Sequence, residues 1–138
     1  MKNLFIILAA CFAVSSYAQK TEKINNNYKN QQIMDLNKIK NENVKNALEA
    51  LESGDEIWYS YFTENPEMTD DGNKVDFKSF FAKALGNEKF LSIDRVENEG
   101  KDIYGNFKAG NWGTFMVFFK FHQSVGGKFD RLDIGQAN

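Results

Sequence analysis

Between residues 111 and 134, apolar side chains occupy both parities of an extended chain. Phe115, Val117, Phe119 and Phe121 alternate with Trp112, Met116 and Phe118. A strand with one wet face alternates apolar with polar, so this pattern predicts a strand covered on both sides. The chain's own helices supply one cover. A second copy of the protein is expected to supply the other.

Upstream the period changes. Ile33, Leu36, Val44, Ala47, Leu48 and Leu51 recur at amphipathic helical spacing, and the pattern is regular after Asn43. Gly54 ends that helix, and Asp55 stands where the cap of a second belongs. The second helix would bury Ile57, Trp58, Tyr61 and Phe62 and stop at Asn65-Pro66. Met68 to Gly72 reads as a strand stub and turn. A third helix starts after Asp76 as N-cap, with Val75 and Phe80 as a hydrophobic staple and Gly86 just past its end. Phe77, Phe80, Phe81 and Leu85 form its buried face.

Beyond Asn87 the chain favours sheet: Lys89–Glu97, Asp102–Lys108, Trp112–His122 and Lys128–Ile134, with glycine or asparagine at each reversal. The expected fold class is α+β, with N-terminal helices packed on a strongly curved antiparallel sheet. For the last hairpin, the 123–127 loop predicts Lys120 opposite Asp130, Phe118 opposite Leu132 and Met116 opposite Ile134. That side pairs like with like and is expected to face the helices. The other side would pair Phe121 with Phe129, Phe119 with Arg131 and Val117 with Asp133, and reads as an interface or a partly wet surface.

The first residues add a compartment. Lys2, the apolar run from Leu4 to Val14, and Ser16-Tyr17-Ala18 before Gln19 have the layout of a secretory signal over residues 1–18. Leu8-Ala9-Ala10-Cys11 also resembles a lipobox, so a lipoprotein anchored at Cys11 is the minor alternative. The expected product is exported, periplasmic or secreted, without a membrane span. Cys11 is the single cysteine. Its removal with the signal would exclude disulfides, thiolate metal sites and a cysteine nucleophile. Residues 19–42 form a polar tether, helical towards its end, and residues 43–138 the domain. The formal charge of −2, with acids interspersed among the bases and only Arg95 and Arg131 as arginines, argues against nucleic acid.

The helix order followed by long strands resembles the nuclear transport factor 2-like superfamily, the cystatin-like cone shared with ketosteroid isomerases and polyketide-cyclase-like proteins. The carrying residues run from Ala50 to Phe62 with the Ser53-Gly54-Asp55 turn, and through Asp70-Asp71-Gly72. They continue in Val117-Phe118-Phe119-Lys120-Phe121-His122 and Gly127-Lys128-Phe129. The resemblance covers about residues 43 to 135. It implies a pocket between helices and concave sheet, and dimerisation through the sheet's outer surface. Cyclase-like members often carry an acid several positions into the last strand; here a natural alignment puts Ile134 there and leaves Asp133 beside it. No catalytic residue carries over.

Within such a pocket, Trp58, Tyr61, Trp112, Met116, Phe118, Leu132 and Ile134 are the expected ligand-binding residues, although core packing explains the same side chains. Asp94, Tyr104, His122 and Asp133 are the candidate catalytic groups, as proton carriers or hydrogen-bond donors. His122 is the single histidine, and with Asp130 it lacks a third metal ligand. Asp70, Asp71 and Asn73 lack the spacing of a calcium loop and read as a turn. No metal and no cofactor is expected. Three functions fit these residues: an exported small-ligand-binding or accessory protein, an isomerase-, dehydratase- or cyclase-type enzyme, and an interaction module with a filled core.

Overall fold

The computed structural model describes residues 34–138. The secretory signal, Cys11 and the tether up to residue 33 lie outside them. The end of the expected tether, from Met34 onward, packs on the domain: Ile39 is a core residue and Lys38 Nζ donates to the Ile93 carbonyl at 2.8 Å.

Helix α1 (Glu42–Ser53) begins where Asn41 accepts the Val44 N–H at 3.0 Å, and ends at Gly54 in the left-handed region. Val44, Ala47, Leu48, Ala50 and Leu51 are its buried stripe. Asp55 does act as a cap, accepting the Ile57 N–H at 2.9 Å, but the expected second helix is a short 3-10 segment, Glu56–Tyr61, that buries only Trp58. The chain then enters strand β1 (Phe62–Asp70), which runs through Asn65-Pro66 instead of stopping there. The strand tolerates the proline because its pairing slips between Phe62 and Glu67.

Strand β2 (Asn73–Lys74) closes a short hairpin, and helix α2 (Phe77–Ala84) comes next, with Asp76 accepting the Ser79 N–H at 2.9 Å. Strands β3 (Glu88–Phe90), β4 (Arg95–Glu97), β5 (Asp102–Ala109), β6 (Thr114–Gln123) and β7 (Phe129–Gln136) complete the sheet. The strand order is β2-β1-β7-β6-β5-β3, and β4 also pairs with β5. β1 runs parallel to β7, so the curved sheet is mixed where a wholly antiparallel one was expected. Between β3 and β4 the chain crosses β5 closely: a Cβ on Gly105 would stand 2.0 Å from the Ser92 carbonyl oxygen. Only glycine admits that crossing.

The hairpin register differs from the expected one. Lys120 faces Asp133, Phe121 faces Leu132 and Phe119 faces Ile134. The tight turn with Ser124 N–H bonded to the Lys128 carbonyl, and a bulge at His122 and Gln123, shift the pairing by an odd number of residues. An odd shift exchanges faces. Val117, Phe119 and Phe121 therefore lie under the helices, and the interface assigned to that side is corrected to core. Met116, Phe118 and Lys120 occupy the outer face and are half-buried, with Phe118 lying against Gly135.

One half of the interior is an aromatic block. Phe62 and Phe77 ring centroids are 4.5 Å apart, Trp58 and Phe81 4.8 Å, Phe121 and Phe129 4.9 Å. Phe90, Phe107 and Phe119 continue it across β3, β5 and β6 at 4.9 to 5.3 Å. Dense packing of this kind fills the space between helices and sheet.

Candidate functional site

Two charged side chains interrupt the apolar interior. Asp70 is 4% exposed and Glu88 2% exposed. Asp70 ends β1 opposite Ile134 and shares the inward parity of Met68. Glu88 opens β3 opposite Ala109 and shares the inward parity of Phe90. On a flat sheet the two strands, four spacings apart, would stand about 19 Å from each other. Both side chains are nonetheless buried on the inward side of the sheet.

Neither acid is satisfied. Among the described residues, Asp70 Oδ1 and Glu88 Oε1 are buried without a hydrogen-bond partner. Burial first, then the charges of Asp71 and Glu88, pushes the Asp70 carboxyl up to about 7. Burial alone pushes Glu88 to about 7. A third acid stands nearby on the last turn of α1: Glu52 Oε2 accepts the Phe90 N–H at 2.6 Å. Burial raises it too, to about 7, against the Phe90 hydrogen bond and the Lys89 charge. Carboxyls in this state donate a hydrogen bond when protonated and accept when ionised, and both forms are populated near neutrality.

The outer face carries a second polar group of residues. Asp133 accepts from Thr69 Oγ1 at 2.6 Å, from Arg131 Nε at 3.1 Å and from His122 Nε2 at 2.8 Å. Arg131 also reaches Glu67 at 3.1 Å. Burial raises the Asp133 carboxyl, but the hydrogen bonds from Thr69, Arg131 and His122 outweigh it and hold the group below the usual carboxylate range. A carboxylate so held remains ionised at neutral pH and is a poor proton carrier. Beside this network the Arg95 guanidinium stacks on Tyr104, 3.8 Å from the ring centroid.

Of the candidate catalytic groups, the structure thus joins His122 to Asp133 and sets Tyr104 on the same outer face, while Asp94 is exposed and bonded to the Ser92 hydroxyl at 3.0 Å. The expected ligand-binding set is divided. Trp58, Leu132 and Ile134 are inside the core, Tyr61 is half-buried, Met116 and Phe118 are on the opposite side of the sheet, and Trp112 is 61% exposed in the β5–β6 turn. The register shift separates them. Asp70 and Glu88 escape the sequence reading because Asp70 falls within an apparent turn and Glu88 just ahead of the expected strand. Their signal is an acid two residues from a core side chain, at Met68–Asp70 and Glu88–Phe90.

Among the described residues, solvent-open clefts away from the acids include one of about 290 Å³ between Tyr59, Pro66, Phe77 and Lys128, and one of about 530 Å³ between Lys38, Lys40 and the β4–β5 turn. Among the described residues, no three metal-ligating side chains converge, and no helix is long and apolar enough to cross a membrane.

No protein-family model and no curated protein sequence matches the chain. Among solved structures, it is similar to the orange carotenoid protein of Anabaena (Nostoc) sp. PCC 7120 binding canthaxanthin, with TM-score 0.56 and 15% identity over 78% of this chain and 40% of that one. It is also similar to Fremyella diplosiphon OCP1, with TM-score 0.58 and 14% identity over 88% of this chain and 43% of that one. The chain thus spans about two fifths of the length of these proteins. At such identities the likeness speaks for the architecture alone: this is a nuclear transport factor 2-like α+β fold, with helices on one face of a curved sheet.

Proposed function

We propose that this is an exported small-ligand-binding protein of the nuclear transport factor 2-like superfamily. In this reading it holds the polar end of a small apolar or amphipathic molecule at Asp70 and Glu88. The observation that carries it is that, among the described residues, Asp70 Oδ1 and Glu88 Oε1 are buried without a hydrogen-bond partner. Buried polar atoms without partners are rare and costly, and a ligand that supplies the missing hydrogen bonds offsets the cost. The fold neighbour that binds canthaxanthin supports the idea that this scaffold can hold an apolar molecule. Export rests on Lys2, the Leu4–Val14 run and Ser16-Tyr17-Ala18.

The test is mass spectrometry of the native protein and of its organic extract, for the wild type and for an Asp70→Leu/Glu88→Leu variant. A small molecule retained by the wild type and lost from a folded variant supports the reading. A ligand retained equally by both places the site elsewhere.

A second reading, an interaction module acting through the outer sheet face, is favoured by the aromatic block packed between helices and sheet. Met116 and Phe118, both half-buried, are the apolar residues such a face would offer to a second copy, the homodimer expected from the strand pattern. Sedimentation of the wild type and of Phe118→Glu tests this: a dimer lost in the variant supports it, and a wild-type monomer at micromolar concentration refutes it.

A further inference from the structure

The cleft beside the irregular part of β1 has a chemistry of its own. Pairing with β7 slips between Phe62 and Glu67, and residues 63–66 have no partners on β7. Bulges of this kind re-aim side chains. The space beside this one, about 290 Å³, is lined by the bulge, by Tyr59, by Phe77 and Lys78 at the start of α2, and by Lys128 just before β7. Its floor is aromatic. Phe62 and Phe77 are buried with ring centroids 4.5 Å apart, and the Tyr59 ring stands edge-on to Phe77 at 6.1 Å.

The polar groups around that floor are mostly donors. Lys78, Lys128 and the hydroxyls of Tyr59 and Thr63 line the cleft, with Glu64 as the one acid. Burial and the charge of Glu56 push the Tyr59 phenol up, so it keeps its O–H. The ion pairs among the described residues join Arg95 to Glu97, Lys101 to Glu99, His122 to Asp133, and Arg131 to Glu67 and Asp133. Neither lysine of the cleft is among them. Asp76, the acid beside Lys78, is committed to the Ser79 N–H and hydroxyl at 2.9 and 2.8 Å. The larger cleft lacks this imbalance: Lys38 and Lys40 stand against Glu97 and Glu99, and Lys38 is held by the Ile93 carbonyl.

We propose that the cleft at the β1 bulge binds a small carboxylate with a flat apolar body, an arylalkanoate in chemical class. Its carboxylate points to the Lys78 and Lys128 side, and its ring lies against Pro66, Tyr59 and the Phe62–Phe77 pair. An ionised carboxylate only accepts hydrogen bonds, so it answers ammonium and hydroxyl donors at once. A protonated amine of the same shape meets two like charges and a single opposite one. An alcohol gains no Coulomb attraction from either lysine. The site shares no residue with Asp70 and Glu88, so it stands or falls apart from the reading above.

The test titrates three probes of matched size, 3-phenylpropanoate, 3-phenylpropan-1-ol and 3-phenylpropylamine, into the full chain at low salt and about pH 7.5, where the acid is ionised and the amine protonated. Amide chemical shifts in NMR follow the binding. Lys78→Gln and Lys128→Gln remove charge at exposed positions, so both variants should fold, as circular dichroism will verify. Lys40→Gln, in the larger cleft, is the charge-removing control. The expected result is that 3-phenylpropanoate shifts the amides of Tyr59, Thr63 and Phe77. Its affinity should fall about two- to fivefold in each lysine variant and about tenfold in the double variant, and hold in Lys40→Gln. Glu64→Gln should strengthen it. The alcohol and the amine should bind at least about fivefold more weakly than the acid. An alcohol or amine that binds as tightly as the acid overturns the charge assignment. Affinity indifferent to both lysines, or shifts confined to other parts of the chain, overturns the site. No shift at about 10 mM probe overturns both.

Discussion

Raising the pH from about 5 to about 8 should loosen the wild-type fold and affect an Asp70→Asn variant much less. The Asp70 carboxyl is displaced from 3.8 to about 7, first by burial and then by the charges of Asp71 and Glu88. Between those two values the folded protein keeps a proton that the unfolded chain has released. The associated stability is therefore complete below about pH 4 and lost as the pH climbs through about 7. Roughly three pKa units correspond to about 4 kcal/mol, of which about 3 kcal/mol falls between pH 5 and pH 8. Glu88, displaced from 4.5 to about 7, acts in the same direction. Because the two acids feel one another, their losses are shared and do not add. Asp133 is displaced the other way from 3.8, so its effect appears only at lower pH.

Urea unfolding followed by tryptophan fluorescence, with Trp58 reporting from the core, measures the effect at each pH. The wild type should lose at least about 3 kcal/mol across the range. Asp70→Asn should show a smaller loss and be the more stable protein at pH 8. A wild-type stability that is flat or rises with pH would refute the reasoning, as would an asparagine variant less stable than wild type at pH 8.

Other expectations concern the two faces of the sheet. Phe119→Glu buries a charge at a position 1% exposed, and should unfold the protein or cost more than about 4 kcal/mol by circular dichroism. Phe118→Glu, one residue away on the outer face, should leave the thermal transition within a few degrees of wild type. Gly105→Ala drives a methyl group against the Ser92 carbonyl, and should cost about 1–3 kcal/mol or more in chemical denaturation. His122→Ala removes a hydrogen bond to Asp133 from a half-exposed side chain and should cost less than about 1 kcal/mol near neutral pH.

The contrast between Phe118 and Phe119 also shows what was legible in the sequence. Helix caps at Asp55 and Asp76, the glycine after α1 and the run of strands beyond Asn87 come from local chemistry, and the α+β architecture comes from their order. The faces of the last hairpin do not. Both parities of β6 are apolar, so hydrophobic pattern alone cannot choose between registers, and the bulge at His122 and Gln123 decides. Pro66 concealed β1 because a proline inside a strand is tolerated only where pairing is already broken. The interior acids were hidden because Asp70 sits in an apparent turn and Glu88 ahead of an apparent strand, and only tertiary packing buries them.

The most direct measurement is a carbon-13 NMR titration of the side-chain carboxyls of Asp70 and Glu88 in the folded protein. Midpoints near the values of about 7 expected for both groups would establish two interior acids that share the neutral range. Midpoints near about 4 for both would mean that water or a basic partner already satisfies them, and would contradict the account of Asp70 and Glu88 as buried acids in want of a partner.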